Sequence, residues 1–330
     1  MATNAPPIID FSAAHGNDEE RQKLVDQIRA ACITQGFFQL VNHGVSSNLQ
    51  DSILEQSRAV FALPLEVKEK YNKDQDGFNR GYERLRSQTF EKNAGGDLKE
   101  GFYFGKDLPL HASNVKARKF GQGPNKYPDE VQHPAKFRST IDEYHSALSA
   151  LAKTILSVLA DTLSLDRSWF DDFTRDPVAV LRLLHYPSQD PDASANERGI
   201  GAHTDFGAIT ILLQDTVGGL QVWNRQNGTW VDVVPIPGAY VVNLGNMMMR
   251  WTNDRYLSNI HRVINKSGQE RYSIPFFFSG NPDHRIECIE SCKVNGVAKY
   301  DPITVGEWMA GRTGKTRGMV KRLLEKPTWD

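Results

Sequence analysis

Cysteine is scarce in this chain. Cys32, Cys288 and Cys292 make an odd count of three in 330 residues, which excludes a disulfide framework and fits a reducing compartment. Long apolar runs are missing as well, and none approaches the roughly 18 residues of a membrane span. The opening stretch, "MATNAPPIIDFSAAHGNDEERQ", has no basic region followed by an apolar core, so it does not read as a signal peptide. An excess of one charge sign is lacking too: 39 Lys and Arg face 40 Asp and Glu, a formal net charge of −1. Such a chain spreads no general field for nucleic acid or an anionic membrane. No internal repeat or low-complexity linker is visible. These absences predict a soluble, cytoplasmic protein without nucleic-acid or membrane partners; they leave the oligomeric state open, a monomer included.

What is present is an ordinary globular composition, 39% hydrophobic and 24% charged. A chain of this length buries about three quarters of the surface its unfolded form exposes, so a large core is available. The first third reads as short strands and helices. "PPIIDF" and "FFQLVNHGV" are strand-like, "NDEERQKLVDQIRAACITQG" has helical spacing with acids in its first turn, and "LQDSILEQSRAVFALP" is a helix stopped by Pro64. Residues 74–132 read as loop-rich, and a long helical pattern runs from His133 to Leu165. From Val178 the chain turns to short apolar strands broken by Gly, Pro, Asn and Asp, a spacing that fits a jelly roll. The expectation is one catalytic unit over 1–330 with a mixed α/β, mainly β architecture. An N-terminal α/β region covers 1–130, a double-stranded β-helix core covers 175–285, and a helical segment covers 300–330.

The stretch "GAHTDFG" places His203 and Asp205 two residues apart ahead of an apolar run. In a strand, residues i and i+2 face the same side about 7 Å apart, so both could converge on one ion. Alone, the pair reads equally well as a solvated His and Asp beside a turn. His261, in "LSNIHRVIN", follows after 55 intervening residues. Two histidines and one carboxylate with open positions form the facial triad of non-haem Fe(II) oxygenases. Ten residues later "ERYSIPFFF" carries Arg271 and Ser273 at i, i+2 spacing. A buried strand arginine is costly unless it meets an anion, and a guanidinium beside a hydroxyl suits a carboxylate. A salt bridge to a core acid is the alternative.

The order "HTD … H … RYS" resembles the 2-oxoglutarate- and Fe(II)-dependent dioxygenases of the isopenicillin N synthase-like group. "GFFQLVNHGV", "DLKEGFYFG", "GPNKYP", "LRLLHYP" and "NLGNMMMRWTN" extend the likeness over nearly the whole chain. The resemblance implies that His203, Asp205 and His261 ligate Fe(II). It further implies that Arg271 and Ser273 hold the distal carboxylate of 2-oxoglutarate, with Tyr186 hydrogen-bonded to that co-substrate. O2 is the second co-substrate and ascorbate an additional reductant. The implied reaction oxidises a small organic metabolite, by hydroxylation or by desaturation or rearrangement, and releases succinate and CO2; secondary metabolism is the expected setting. Strand alternation puts Arg182, Leu184 and Tyr186 on one face and leaves His185 structural. Phe102, Phe104, Phe206, Phe277, Trp308 and Arg182 are the expected substrate-pocket residues. Asn246, where Asp is common in the family, is expected to cap the helix "MMMRWTN".

Three other readings compete. An oxidase of the same fold would use Arg271 and Ser273 on the substrate's own carboxylate. A zinc hydrolase or a non-catalytic binding module would keep the three ligands without the oxidative chemistry. "GRTGKTRG" misses the phosphate-loop pattern because Met309 stands where its first glycine belongs. "CIESC" has no second cysteine pair. The Met247–Met249 run reads as core filling, and His43 as a hydrogen-bonded turn residue.

Overall fold

In the computed structural model, residues 5–90, 96–189, 198–265 and 267–311 are described. Strand β1 (Ile8–Asp10) leads into helix α1 (Asp18–Thr34). The Asn17 side chain accepts from the Glu20 amide while the Glu20 carboxylate accepts from the Asn17 amide, closing a capping box that sets the start of α1. Gly36 ends it at φ +66°, where a Cβ would lie 2.0 Å from the Leu257 carbonyl oxygen. The chain then forms β2 (Phe37–Val41), α2 (Ser47–Phe61) and α3 (Leu65–Glu69). The stretch expected to be loop-rich contains two strands, β3 (Gly81–Glu83) and β4 (Glu100–Phe104), before α4 (Ser113–Lys116). Both strands are buried on both faces, so no alternation betrays them in the sequence. The long pattern becomes α5 (Pro134–Thr162), with proline tolerated in its first turn.

The strand-rich half begins with β5 (Val178–Tyr186) and β6 (Ile200–His203). It continues through β7 (Ile209–Gln214), β8 (Leu220–Asn224), β9 (Thr229–Asp232) and β10 (Tyr240–Leu244). After α6 (Asn246–Trp251) come β11 (His261–Val263), β12 (Arg271–Gly280), β13 (Arg285–Ile286), β14 (Ile303–Thr304) and α7 (Val305–Ala310). The expected helical segment over 300–330 is described only as far as Gly311; the rest of it, with most of "GRTGKTRG", lies outside the described residues.

Two sheets make the jelly roll. The major sheet runs β1-β2-β10-β7-β12-β5-β4-β3 and the minor one β6-β11-β8-β9. Strands from the N-terminal third therefore sit on both sides of the major sheet, so that its outer edges are the three-residue strands β1 and β3 rather than longer core strands. One face of the major sheet packs on helices, with Leu181, Leu183, Ile211, Phe276 and Phe278 in the same core as Ile155 and Leu159 of α5. The opposite face, with Tyr103, Leu184 and Tyr186, meets Leu220, Val222 and Val263 of the minor sheet. Strand periodicity divides the two: in β5 the odd positions go to the helices and the even ones face the other sheet.

The link between the sheets is tight. The Asn246 amide donates to the Asp205 carbonyl at 2.9 Å and the Met247 amide to the Gly207 carbonyl at 3.2 Å. Gly245 lets these backbones approach, since a Cβ there would stand 2.1 Å from the Gly207 oxygen. Asn246 is not the cap of α6. Gly245 holds that position, and the Asn246 side chain instead reaches Thr204 Oγ1 at 3.3 Å. Gly245→Ala is expected to destabilise the protein by about 1–3 kcal/mol, the usual cost of overpacking. The check is the urea midpoint of unfolding, which should fall; an unmoved midpoint would show that the link can give way.

Candidate metal and co-substrate site

His203 ends β6 and His261 opens β11, and the two are directly paired across the minor sheet. Their rings lie 4.2 Å apart. Asp205 departs from the expected arrangement. The strand stops at His203, so Asp205 lies in the connection to β7 rather than two places along the same strand. That connection carries the carboxylate toward the major sheet, where Thr210 Oγ1 donates to Oδ2 at 2.6 Å and Asn243 Nδ2 donates to the same oxygen at 2.7 Å. Its other oxygen, Oδ1, is left facing His203 Nε2 at 3.8 Å and His261 Nε2 at 3.9 Å. The three ligand atoms lie within 4.8 Å of one another, and this is the one such His, Cys, Asp and Glu grouping among the described residues.

The tautomers follow from the partners. His203 Nδ1 contacts the Gly201 carbonyl at 2.8 Å and His261 Nδ1 the Asn259 carbonyl at 3.3 Å. A carbonyl can only accept, so each Nδ1 carries the proton and each Nε2 presents its lone pair inward. Burial pushes the His203 pKa down to about 3, reinforced by the adjacent His261 and opposed by Asp205. The imidazole is thus neutral and able to ligate. Burial would raise the Asp205 pKa, but the two histidines and the hydrogen bonds from Asn243 and Thr210 outweigh it and the net direction is down. A carboxylate oxygen facing two imidazole Nε2 atoms is a donor set for a divalent transition metal with positions left open.

Behind the triad, Arg271 is completely buried. Its Nε donates to the Gly218 carbonyl at 2.5 Å and its Nη2 to Gln214 Oε1 at 3.3 Å. Nη1 is buried with no partner among the described residues. Ser273 Oγ donates to Tyr186 Oη at 3.4 Å, and the guanidinium lies 4.7 Å from the Tyr186 ring centroid. Burial raises the Tyr186 pKa, so the phenol stays protonated. No acid closes an ion pair with Arg271 among the described residues, which disposes of the core salt bridge. An orphaned guanidinium nitrogen beside a hydroxyl and a phenol fits a carboxylate.

All six residues border one cavity of about 940 Å³, which also takes in Arg182, Phe206 and Phe277. Three expected pocket residues are elsewhere. Phe102 and Phe104 stack on each other with centroids 5.2 Å apart inside the helix-side core. The parity of β4 sends Tyr103 inward in their place, close to Arg182. Trp308 stands behind the wall, donating from Nε1 to the Phe206 carbonyl at 3.0 Å, while its neighbour Met309 reaches the cavity. His185 is structural, as alternation predicts, bound through Nδ1 to Glu100 at 2.8 Å.

Sequence reasoning missed Asn243, Thr210 and Phe90. The first two hold Asp205, and Phe90 stacks on the His203 ring with centroids 4.6 Å apart. The only signals were a polar residue interrupting each of two apolar strands, "AITILL" and "VVNL". Phe90 comes from a stretch with no regular pattern.

Residues 6–130 match the family described as the N-terminal region of non-haem dioxygenases in morphine synthesis, and residues 177–280 match the 2OG-Fe(II) oxygenase superfamily. The 2-oxoglutarate-Fe(II) type oxidoreductase hxnY of Emericella nidulans is 50% identical, covering 99% of this chain and 95% of the relative. The 2-oxoglutarate-dependent dioxygenase citB of Monascus ruber is 44% identical over 94% of this chain and 95% of its own. Among solved structures, a full-length Neurospora crassa protein in complex with alpha-KG and thymine aligns with a TM-score of 0.82 at 29% identity, covering 98% of each chain.

Asn243→Ala should weaken binding of a divalent ion by about 10- to 100-fold, as loss of a ligand's hydrogen-bond partner commonly does. Titration calorimetry with Mn(II) measures this, and an unchanged affinity would mean that Thr210 alone suffices to aim Asp205.

Proposed function

The chain belongs to the 2OG-Fe(II) oxygenase superfamily and is an Fe(II)- and 2-oxoglutarate-dependent dioxygenase of small metabolites, and from that premise we propose how its residues divide the work. His203, Asp205 and His261 ligate the iron. Arg271 and Ser273 seat the distal carboxylate of 2-oxoglutarate, with Tyr186 hydrogen-bonded beside them. Bound together, Fe(II), 2-oxoglutarate and O2 supply the oxidising power, and the co-substrate leaves as succinate and CO2.

The observation that carries this assignment is the unpartnered Nη1 of Arg271. A fully buried cation without a counter-ion costs several kcal/mol, and a bound carboxylate removes most of that cost. Gln214 and the Gly218 carbonyl hold the other arms of the guanidinium, so Nη1 is fixed before the co-substrate arrives. Phe90, Phe206 and Phe277 line the cavity and limit water near the iron ligands. The substrate is a small organic molecule from metabolism, and hydroxylation is the simplest outcome. The protein acts in the cytoplasm and without nucleic-acid or membrane partners; among the described residues no helix is long and apolar enough to cross a membrane.

Arg271→Ala should raise the KM for 2-oxoglutarate by on the order of 100-fold, in line with truncating a buried charge pair. Iron binding should survive that change. An unchanged KM would move carboxylate recognition elsewhere. Asp205→Ala removes the one anionic ligand and should reduce 2-oxoglutarate-dependent succinate formation to background, measured with added Fe(II). Near-normal succinate yield in that variant would sink the triad. Oxygen uptake without any succinate from the wild type would favour the oxidase reading.

A further inference from the structure

Arg182 is a cation of the inner cavity that neither the metal site nor the co-substrate pocket uses. Its guanidinium carbon lies 4.3 Å from the Tyr103 ring centroid and 4.6 Å from that of Phe277. It forms no hydrogen bond or ion pair among the described residues, and its Nε is buried. The acid close enough to influence it, Glu83, is already taken: Lys99 Nζ reaches Glu83 at 2.8 Å and the Tyr103 hydroxyl donates to the same carboxylate. Lys99 lies near both Glu83 and the buried Asp97, so these carboxylates already serve a second cation, and Arg182 is left against two aromatic faces with no carboxylate paired to it among the described residues.

The cavity lining as a whole points the same way. Lys119 of that lining pairs with Asp283, and along it lysines and arginines outnumber carboxylates seven to two. Of these two, Asp205 faces the histidines, and Asp76 pairs with Lys126 at 3.1 Å. Lys116 and Arg118 line the cavity, are exposed, and form no ion pair among the described residues. A cleft with this balance attracts anions from solution.

Resting on the metal and co-substrate assignment above, we propose that the primary substrate is a small carboxylic acid whose carboxylate is bound by Arg182. Its apolar body lies among Leu184, Phe206 and Phe277, toward the iron ligands. Gln88 Oε1, buried and unpartnered among the described residues, offers an acceptor to a hydroxyl or N–H on that body. The flanking rings hold the guanidinium plane and leave its edge to the ligand.

The test uses the Fe(II)- and 2-oxoglutarate-loaded protein under anaerobic conditions. A panel of small aryl and alkyl carboxylic acids, each with its primary amide, is titrated against the visible charge-transfer band of the iron chelate. In the wild type at least one acid should bind about tenfold or more tighter than its amide, the worth of one charge-assisted hydrogen bond. The ratio should fall to about one in Arg182→Gln and return in part in Arg182→Lys, as the loss of a charge-assisted contact implies. If no acid outbinds its amide, or the preference survives in Arg182→Gln, the proposal is wrong. A weakened 2-oxoglutarate band in Arg182→Gln with the acid preference intact assigns Arg182 to the co-substrate and also overturns it. Failure of the band to form in the wild type would instead count against the co-substrate assignment itself.

Discussion

Everything at this site depends on how Asp205 is held. Its carboxylate is the one ligand that does not belong to the minor sheet, and two donors from adjacent strands of the major sheet grip a single oxygen. The free oxygen then points back at two histidines paired across the minor sheet. The metal position is therefore defined by the spacing between sheets, not by any one strand. Taking a carboxylate out of water costs several kcal/mol, which its hydrogen bonds offset only in part. The rest is recovered when a cation arrives. Gly245 and Gly207 belong to the same constraint, because their backbones touch where the chain passes from one sheet to the other.

Much of this is legible in the sequence, for identifiable reasons. The β core shows itself through short apolar runs separated by turn formers, and the long helix through sustained periodicity. The ligand set is readable because "HTD", His261 and "RYS" carry costly residue types inside otherwise apolar surroundings. The parity of β5 correctly places Arg182, Leu184 and Tyr186 on the cavity side and His185 away from it. The same reasoning fails for β4, whose strand character the sequence hides. Without that strand no parity can be assigned, so the sequence points Phe102 and Phe104 into the pocket when Tyr103 is the residue that turns inward. Asn243 and Thr210 are hidden for another reason. A single polar residue in a buried strand has many uses, and only the tertiary structure reveals which acid it meets.

Two arginines on neighbouring strands show how environment separates roles. Arg271 on β12 is fixed by a carbonyl and an amide and leaves one nitrogen bare, a rigid fork for a partner of set shape. Arg182 on β5 is held only by aromatic faces, which restrict its plane but give it no counter-charge. The first suits an invariable co-substrate, and the second suits a ligand whose body can differ while its charge does not. On the roles proposed for them, their separation along one cavity would let co-substrate and substrate be recognised independently.

The central claim is that two histidines of one sheet and an aspartate anchored to the other enclose a single metal ion. Crystals grown anaerobically with Fe(II) and 2-oxoglutarate, measured at the iron absorption edge, test it most directly. The anomalous map should show one strong peak per chain at bonding distance from His203 Nε2, Asp205 Oδ1 and His261 Nε2. A peak bound through either Nδ1, or one placed away from Asp205, would contradict it.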